Sequence, residues 1–105
     1  MTGSGTQDDP STELDDALSS PRRLLICAVL QKRSDLDFGE LGEATGLSKS
    51  SLSKHLAMLT RSGHVTLERI STPGRRRTRV ALTNMGLAAL SAHASALREI
   101  LGDFL

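Results

Sequence analysis

The sequence predicts a mainly α, α+β domain carrying one small β-hairpin. Three observations point there. Apolar residues recur at helical spacing in stretches opened by Ser20, Asp37, Ser48 and Thr83, all good helix caps. Two β-compatible runs, "HVTLERIS" and "RTRVALT", flank a Pro73-Gly74 turn signal. The stretch after Thr83 places Leu87, Leu90, Ala94, Leu97, Leu101 and Phe104 at alternating steps of three and four. With 105 residues and 38% hydrophobic content, one modest core and a single domain are expected.

The elements follow in order. Residues 1–10 are expected to form a flexible acidic tail, and the folded domain to occupy 11–105. "STELDDALSS" predicts a short helix capped by Ser11 or Thr12, with Leu14, Ala17 and Leu18 on one side. Ser20 followed by Pro21 opens "PRRLLICAVLQKR", whose core face is expected at Leu24, Leu25, Ala28 and Val29. The chain then turns at "SDLDF". Asp37 and Glu40 have capping-box spacing before "GELGEATG", with Leu41 and Ala44 expected inward. Gly39 and Gly42 each cost that helix roughly 1 kcal/mol of propensity, so it must lean on its neighbours. Ser48 caps the next helix, whose Leu52, Leu56 and Leu59 share one face, and Gly63 suits a left-handed stop. "TPGRRRTR" sets four arginines within five positions and is expected to put them at the hairpin tip. The last helix, over 83–105, would span roughly 35 Å.

The net charge of +1 is unevenly spread. Residues 1–20 carry five acids, and Arg and Lys are absent from them, whereas residues 49–79 hold eight basic side chains against Glu68 alone. Clustering of this kind marks a nucleic-acid surface better than overall charge does. Phe38 and Phe104 are the only aromatics, which leaves no stacking platform for single strands and favours a duplex. A membrane span is not expected, nor a secretory signal at the N-terminus, so a cytoplasmic location is.

"FGELGEATG" and "SKSSLSKHLAMLTRSG", joined by a short turn at Gly46 and Leu47, have the layout of a helix-turn-helix, whose second helix offers its N-terminal polar face to the major groove. With the basic hairpin after it and a long helix to close, the order resembles the winged helix-turn-helix transcriptional regulators of the MarR and ArsR types. The resemblance covers about residues 20–105 and rests on "SPRRLLICAVL", "DFGELGEATGLSKSSLSKHLAMLTRSGHV", the arginine-rich turn and "ALTNMGLAAL". It implies that Ser48, Lys49, Ser50, Ser51, Ser53 and Lys54 face base edges and phosphates, and that Arg75, Arg76, Arg77 and Arg79 form the wing. It places His55 either on a phosphate or beside the helix pair. It also implies a pseudo-palindromic duplex operator, repressed by occupancy. The last helix carries more apolar surface than one face needs, so a homodimer with Leu87, Leu90, Ala94, Leu97, Leu101 and Phe104 at its interface is expected, the alternative being a helix packed against its own first helix. A small-molecule effector in the dimer crevice, such as a hydrophobic acid, is a further implication that no residue here identifies. Two departures stand out: Val80 replaces a common aromatic, and the recognition helix lacks an early Arg or Gln for a bidentate base contact.

Other classes fare worse. Cys27, His55, His64 and His93 are scattered along the chain, so an ArsR-like metal sensor has little support, and neither metal nor cofactor is expected. His93, Glu99 and Asp103 are a thin metal candidate; a surface or dimer-seam position suits His93 better. Cys27 lies in "LLICAVL" and is expected to be an inert core thiol. No nucleophile elbow or phosphate-binding glycine loop suggests an enzyme. A winged-helix module that binds proteins rather than DNA is the remaining alternative.

Overall fold

The computed structural model describes residues 13–104. The acidic tail and the caps proposed at Ser11 and Thr12 lie outside them. In place of a short α-helix, Asp16–Leu18 forms one 3-10 turn, capped by Asp15, whose carboxylate accepts from the Ala17 and Leu18 amides. Leu18 enters the core.

Helix α1, Pro21–Lys32, is capped by Ser20 and begins with proline, as the sequence indicates. Its buried face differs from the expected one: Ile26, Cys27 and Leu30 are interior, Leu24 and Val29 are half-buried, and Leu25 is 40% exposed. This helix is apolar around most of its circumference and touches the 3-10 turn, the other helices and the sheet. Its neighbours, rather than a single stripe, decide which residues are covered.

Strand β1, Leu36–Asp37, leads directly into helix α2, Phe38–Thr45. The capping box forms: Asp37 Oδ1 accepts from the Glu40 amide at 2.8 Å, and Glu40 Oε1 accepts from the Asp37 amide at 2.9 Å. Leu41 is buried, but Ala44 is exposed, because the turn at Gly46 (φ 73°) takes the chain away before anything covers it. Helix α3, Lys49–Arg61, buries Leu52, Leu56 and Leu59 on one face and is capped by Ser48, which accepts from the Ser51 amide at 3.2 Å.

Strands β2, Val65–Thr72, and β3, Arg75–Leu82, pair antiparallel from Val65↔Leu82 to Thr72↔Arg75. Pro73 and Gly74 (φ 77°) make the two-residue turn. Arg75, Arg76, Arg77 and Arg79 therefore belong to β3, and only the first of them abuts the tip where the sequence suggests the whole cluster. β1 joins on the other side of β3 through Leu36↔Val80 and Asp37↔Arg79, so the strand order is β1-β3-β2. A two-residue strand has no periodicity to read, which is why no sequence pattern announces it.

Helix α4 runs from Asn84 to Leu101, about 27 Å, and ends in a 3-10 turn at Gly102–Phe104, shorter than expected. Thr83 caps it, accepting from the Gly86 amide at 2.8 Å and donating to the Gly63 carbonyl at 2.7 Å. The heptad-like seam splits. Leu90 packs into the chain's own core, against the expectation that it belongs to a dimer interface, while Leu87, Ala94, Leu101 and Phe104 are exposed and Leu97 is half-buried. His93 is 3% exposed, a core residue rather than a surface or seam one.

Candidate nucleic-acid interface

The exposed side of α3 begins at its cap. Ser48, Lys49, Ser50, Ser53 and Lys54 are exposed, and Ser51 is half-buried. The three buried leucines fix this orientation, since they turn the residues between them to solvent. Ser48 Oγ lies 3.4 Å from Ser50 Oγ, so part of the hydroxyl capacity is already used locally.

Lys49 also borders an open cleft of about 730 Å³ between the start of α2, at Asp37, Phe38 and Gly39, and the hairpin. Arg69, Arg75, Arg76 and Arg77 line the same cleft, and Asp37 is its one carboxylate. Five cations around one acid make a strongly electropositive groove. Arg69, on β2, is not among the residues the sequence singles out, because the arginine cluster draws the eye beyond the turn.

The four hairpin arginines are not equivalent. Arg75 lies 3.8 Å from Asp37 and Arg79 3.1 Å from Asp35, both next to or within β1. The Arg79–Asp35 pair is open to solvent at both ends and the Arg75–Asp37 pair at its arginine end, while Asp37 itself is buried; an exposed pair is worth at most about 1 kcal/mol, so an incoming anion can compete for these arginines. Arg76 is exposed and forms no ion pair among the described residues. Arg77 is half-buried, and its Nε has no hydrogen-bond partner among the described residues.

His55 turns toward α1. Its Nδ1 is 3.5 Å from Arg23 Nη1, and Arg23 is itself held by donation from Nε to the Ala17 carbonyl at 2.7 Å. Burial, then the like charges of Arg23, Lys54 and Arg22, push the His55 pKa down. It therefore packs beside the first turn of α1.

Asp15, His64 and His93 form a structural cluster. His64 Nε2 pairs with Asp15 Oδ2 at 3.0 Å, and His93 Nδ1 accepts from the Asp15 amide at 2.9 Å. Among the described residues no three His, Cys, Asp or Glu side chains converge as a metal site would require. Cys27 is fully buried, and burial first, then Asp15, pushes its thiol up to about 11.

Helix-turn-helix, basic hairpin and terminal helix thus stand in one frame, and residues 22–101 match the winged helix DNA-binding domain family. The chain belongs to that family. Among solved structures, this winged-helix chain is similar to a transcriptional regulator homologue from Pyrococcus horikoshii OT3, with a TM-score of 0.79 and 26% identity, covering 84% of this chain and 87% of that one. The DNA complex of MepR from S. aureus shares the fold at TM-score 0.70 and 16% identity, over 93% and 80% of the two chains. Among curated proteins, the HTH-type transcriptional regulator YgaV of Escherichia coli (strain K12) is 42% identical over 53 residues, half of this chain. The match spans 54% of that relative's length.

Proposed function

We propose that this winged-helix chain is a duplex-DNA-binding transcriptional regulator. In this reading it acts in the cytoplasm as a homodimer on a pseudo-palindromic site and represses by occupying it. One observation carries the reading: the exposed Ser and Lys face of α3 runs, through Lys49, into a groove lined by Arg69, Arg75, Arg76 and Arg77. A helix face next to a cationic groove can place hydroxyls on base edges and guanidinium groups on phosphates at once. The dimer rests on Leu87, Ile100, Leu101 and Phe104, large apolar residues left exposed on and just beyond α4. Two-fold pairing there would allow recognition helices about one duplex turn, ~34 Å, apart. The reading assigns no residue a catalytic role.

The test is retention of genomic duplex fragments by the purified protein at two salt concentrations, followed by sequencing. Recovery of a two-fold symmetric site supports the regulator; retention of nothing at low salt rejects it. Changing Arg75, Arg76 and Arg77 together to Ala is expected to weaken binding to every duplex and flatten its salt dependence, by about one unit of slope for each phosphate no longer neutralised. Unchanged binding would remove the hairpin from the interface.

A further inference from the structure

A second cationic cluster lies on the side of α3 turned toward α1. Arg22 and Lys54 are exposed, Arg23 and His55 are half-buried beside them, and none of the three cations forms an ion pair among the described residues. Their placement is unfavourable for the fold alone. Arg22 and Arg23 stand in the first turn of α1, which holds no acidic residue, at the end of the helix where positive charge is least favourable. Arg23 reaches across to His55, and the charges of Arg22, Arg23 and Lys54 all act on that imidazole.

The geometry is nonetheless ordered. Arg23 is fixed by its bond to the Ala17 carbonyl and contacts Met58 Sδ at 3.4 Å. A guanidinium only donates, so the His55 Nδ1 beside it serves as the acceptor. The imidazole proton is thereby assigned to Nε2, which can donate to another group. Three positive charges and one neutral N–H donor suit successive phosphodiesters of a duplex backbone, each of which offers acceptors and one negative charge.

We infer that Arg22, Arg23, Lys54 and His55 form a second backbone-phosphate contact for duplex DNA, on the flank of α3 away from the hairpin. The recognition helix is then held between two anionic contacts, one at the hairpin groove and one at α1. This rests on the DNA-binding reading above and extends it to α1, where the sequence draws attention to no binding residue.

The experiment measures affinity of the full chain for a short random-sequence duplex across a salt series. It compares the unaltered protein with Arg22→Ala, His55→Ala and, as hairpin reference, Arg76→Ala. Arg22→Ala is expected to lower the slope of log K against log salt by about 1, an affinity loss of about eightfold near 0.1 M salt. His55→Ala is expected to weaken binding by roughly two- to tenfold with the slope unchanged, because it removes a neutral donor. Melting temperatures close to that of the unaltered protein establish that both variants fold. If Arg76→Ala lowers the slope while Arg22→Ala and His55→Ala leave both slope and affinity unchanged, the α1 contact is overturned and DNA binding stands. If the unaltered protein binds no duplex, both readings fall together.

Discussion

Single residues show how local preference and packing compete. Gly86 occupies a helix, where alanine is ordinarily better by about 1 kcal/mol. A Cβ there would overlap the carbonyl oxygen of His64, which is also held by the Thr83 amide at 2.9 Å and cannot simply withdraw. Gly86→Ala is therefore expected to destabilise the protein by about 1–3 kcal/mol in urea unfolding. Gly42 sits in α2 with ordinary room for an added methyl, 3.7 Å from Leu52 Cδ2. Gly42→Ala should instead stabilise by about 0.5–1 kcal/mol, and equal effects at the two sites would show that packing at Gly86 is not what governs it.

At the scale of elements, the 3-10 turn at Asp16–Leu18 is fastened to the body through Asp15. Its carboxylate caps the turn and meets His64, while its amide donates to His93. Burial alone would raise the Asp15 pKa, but the hydrogen bond and charge of His64 and the Ala17 and Leu18 amides outweigh it, leaving it below 3.8. A carboxylate depressed in the fold stabilises fully above its ordinary pKa and loses that contribution as pH falls through the folded value. Asp15→Asn is expected to cost about 1 kcal/mol near neutral pH, and the difference from the unaltered protein should shrink below about pH 4. A difference that stays constant down to strong acid would mean that the charge of Asp15 is immaterial. The link from α2 to the hairpin has a similar economy, since Asp37 both caps α2 and meets Arg75.

For the whole molecule, a principal extent of 62 Å against 26 and 21 Å, and a radius of gyration of 16.0 Å against about 13 Å for a compact domain of this size, describe an elongated shape. A chain end that exposes Leu101 at 41% and Phe104 at 86% leaves a large apolar surface in water. On the proposed dimer, the melting temperature rises with protein concentration, and Leu101→Asp is expected to abolish that rise and to shift the protein toward monomer in sedimentation. An assembly state indifferent to this change would remove this end of α4 from any self-association.

The caps, the α3 leucines and the Pro-Gly turn are legible in the sequence because each is a local preference expressed within a few residues: Ser20, Asp37, Ser48 and Thr83 satisfy nearby amides whatever surrounds them. The basic character of residues 49–79 is equally plain, being a matter of counting charges. Tertiary structure decided the rest. Strand β1 exists because β3 offers it an edge, α1 buries Ile26 and Cys27 because neighbours crowd that side, and Leu90 leaves the α4 seam for the core. It also separated the arginines, pairing Arg75 and Arg79 with aspartates, leaving Arg76 exposed and bringing Arg22 and Arg23 beside Lys54 and His55. Residues more than thirty positions apart meet only when the chain closes on its core, and no local spacing records which of them will.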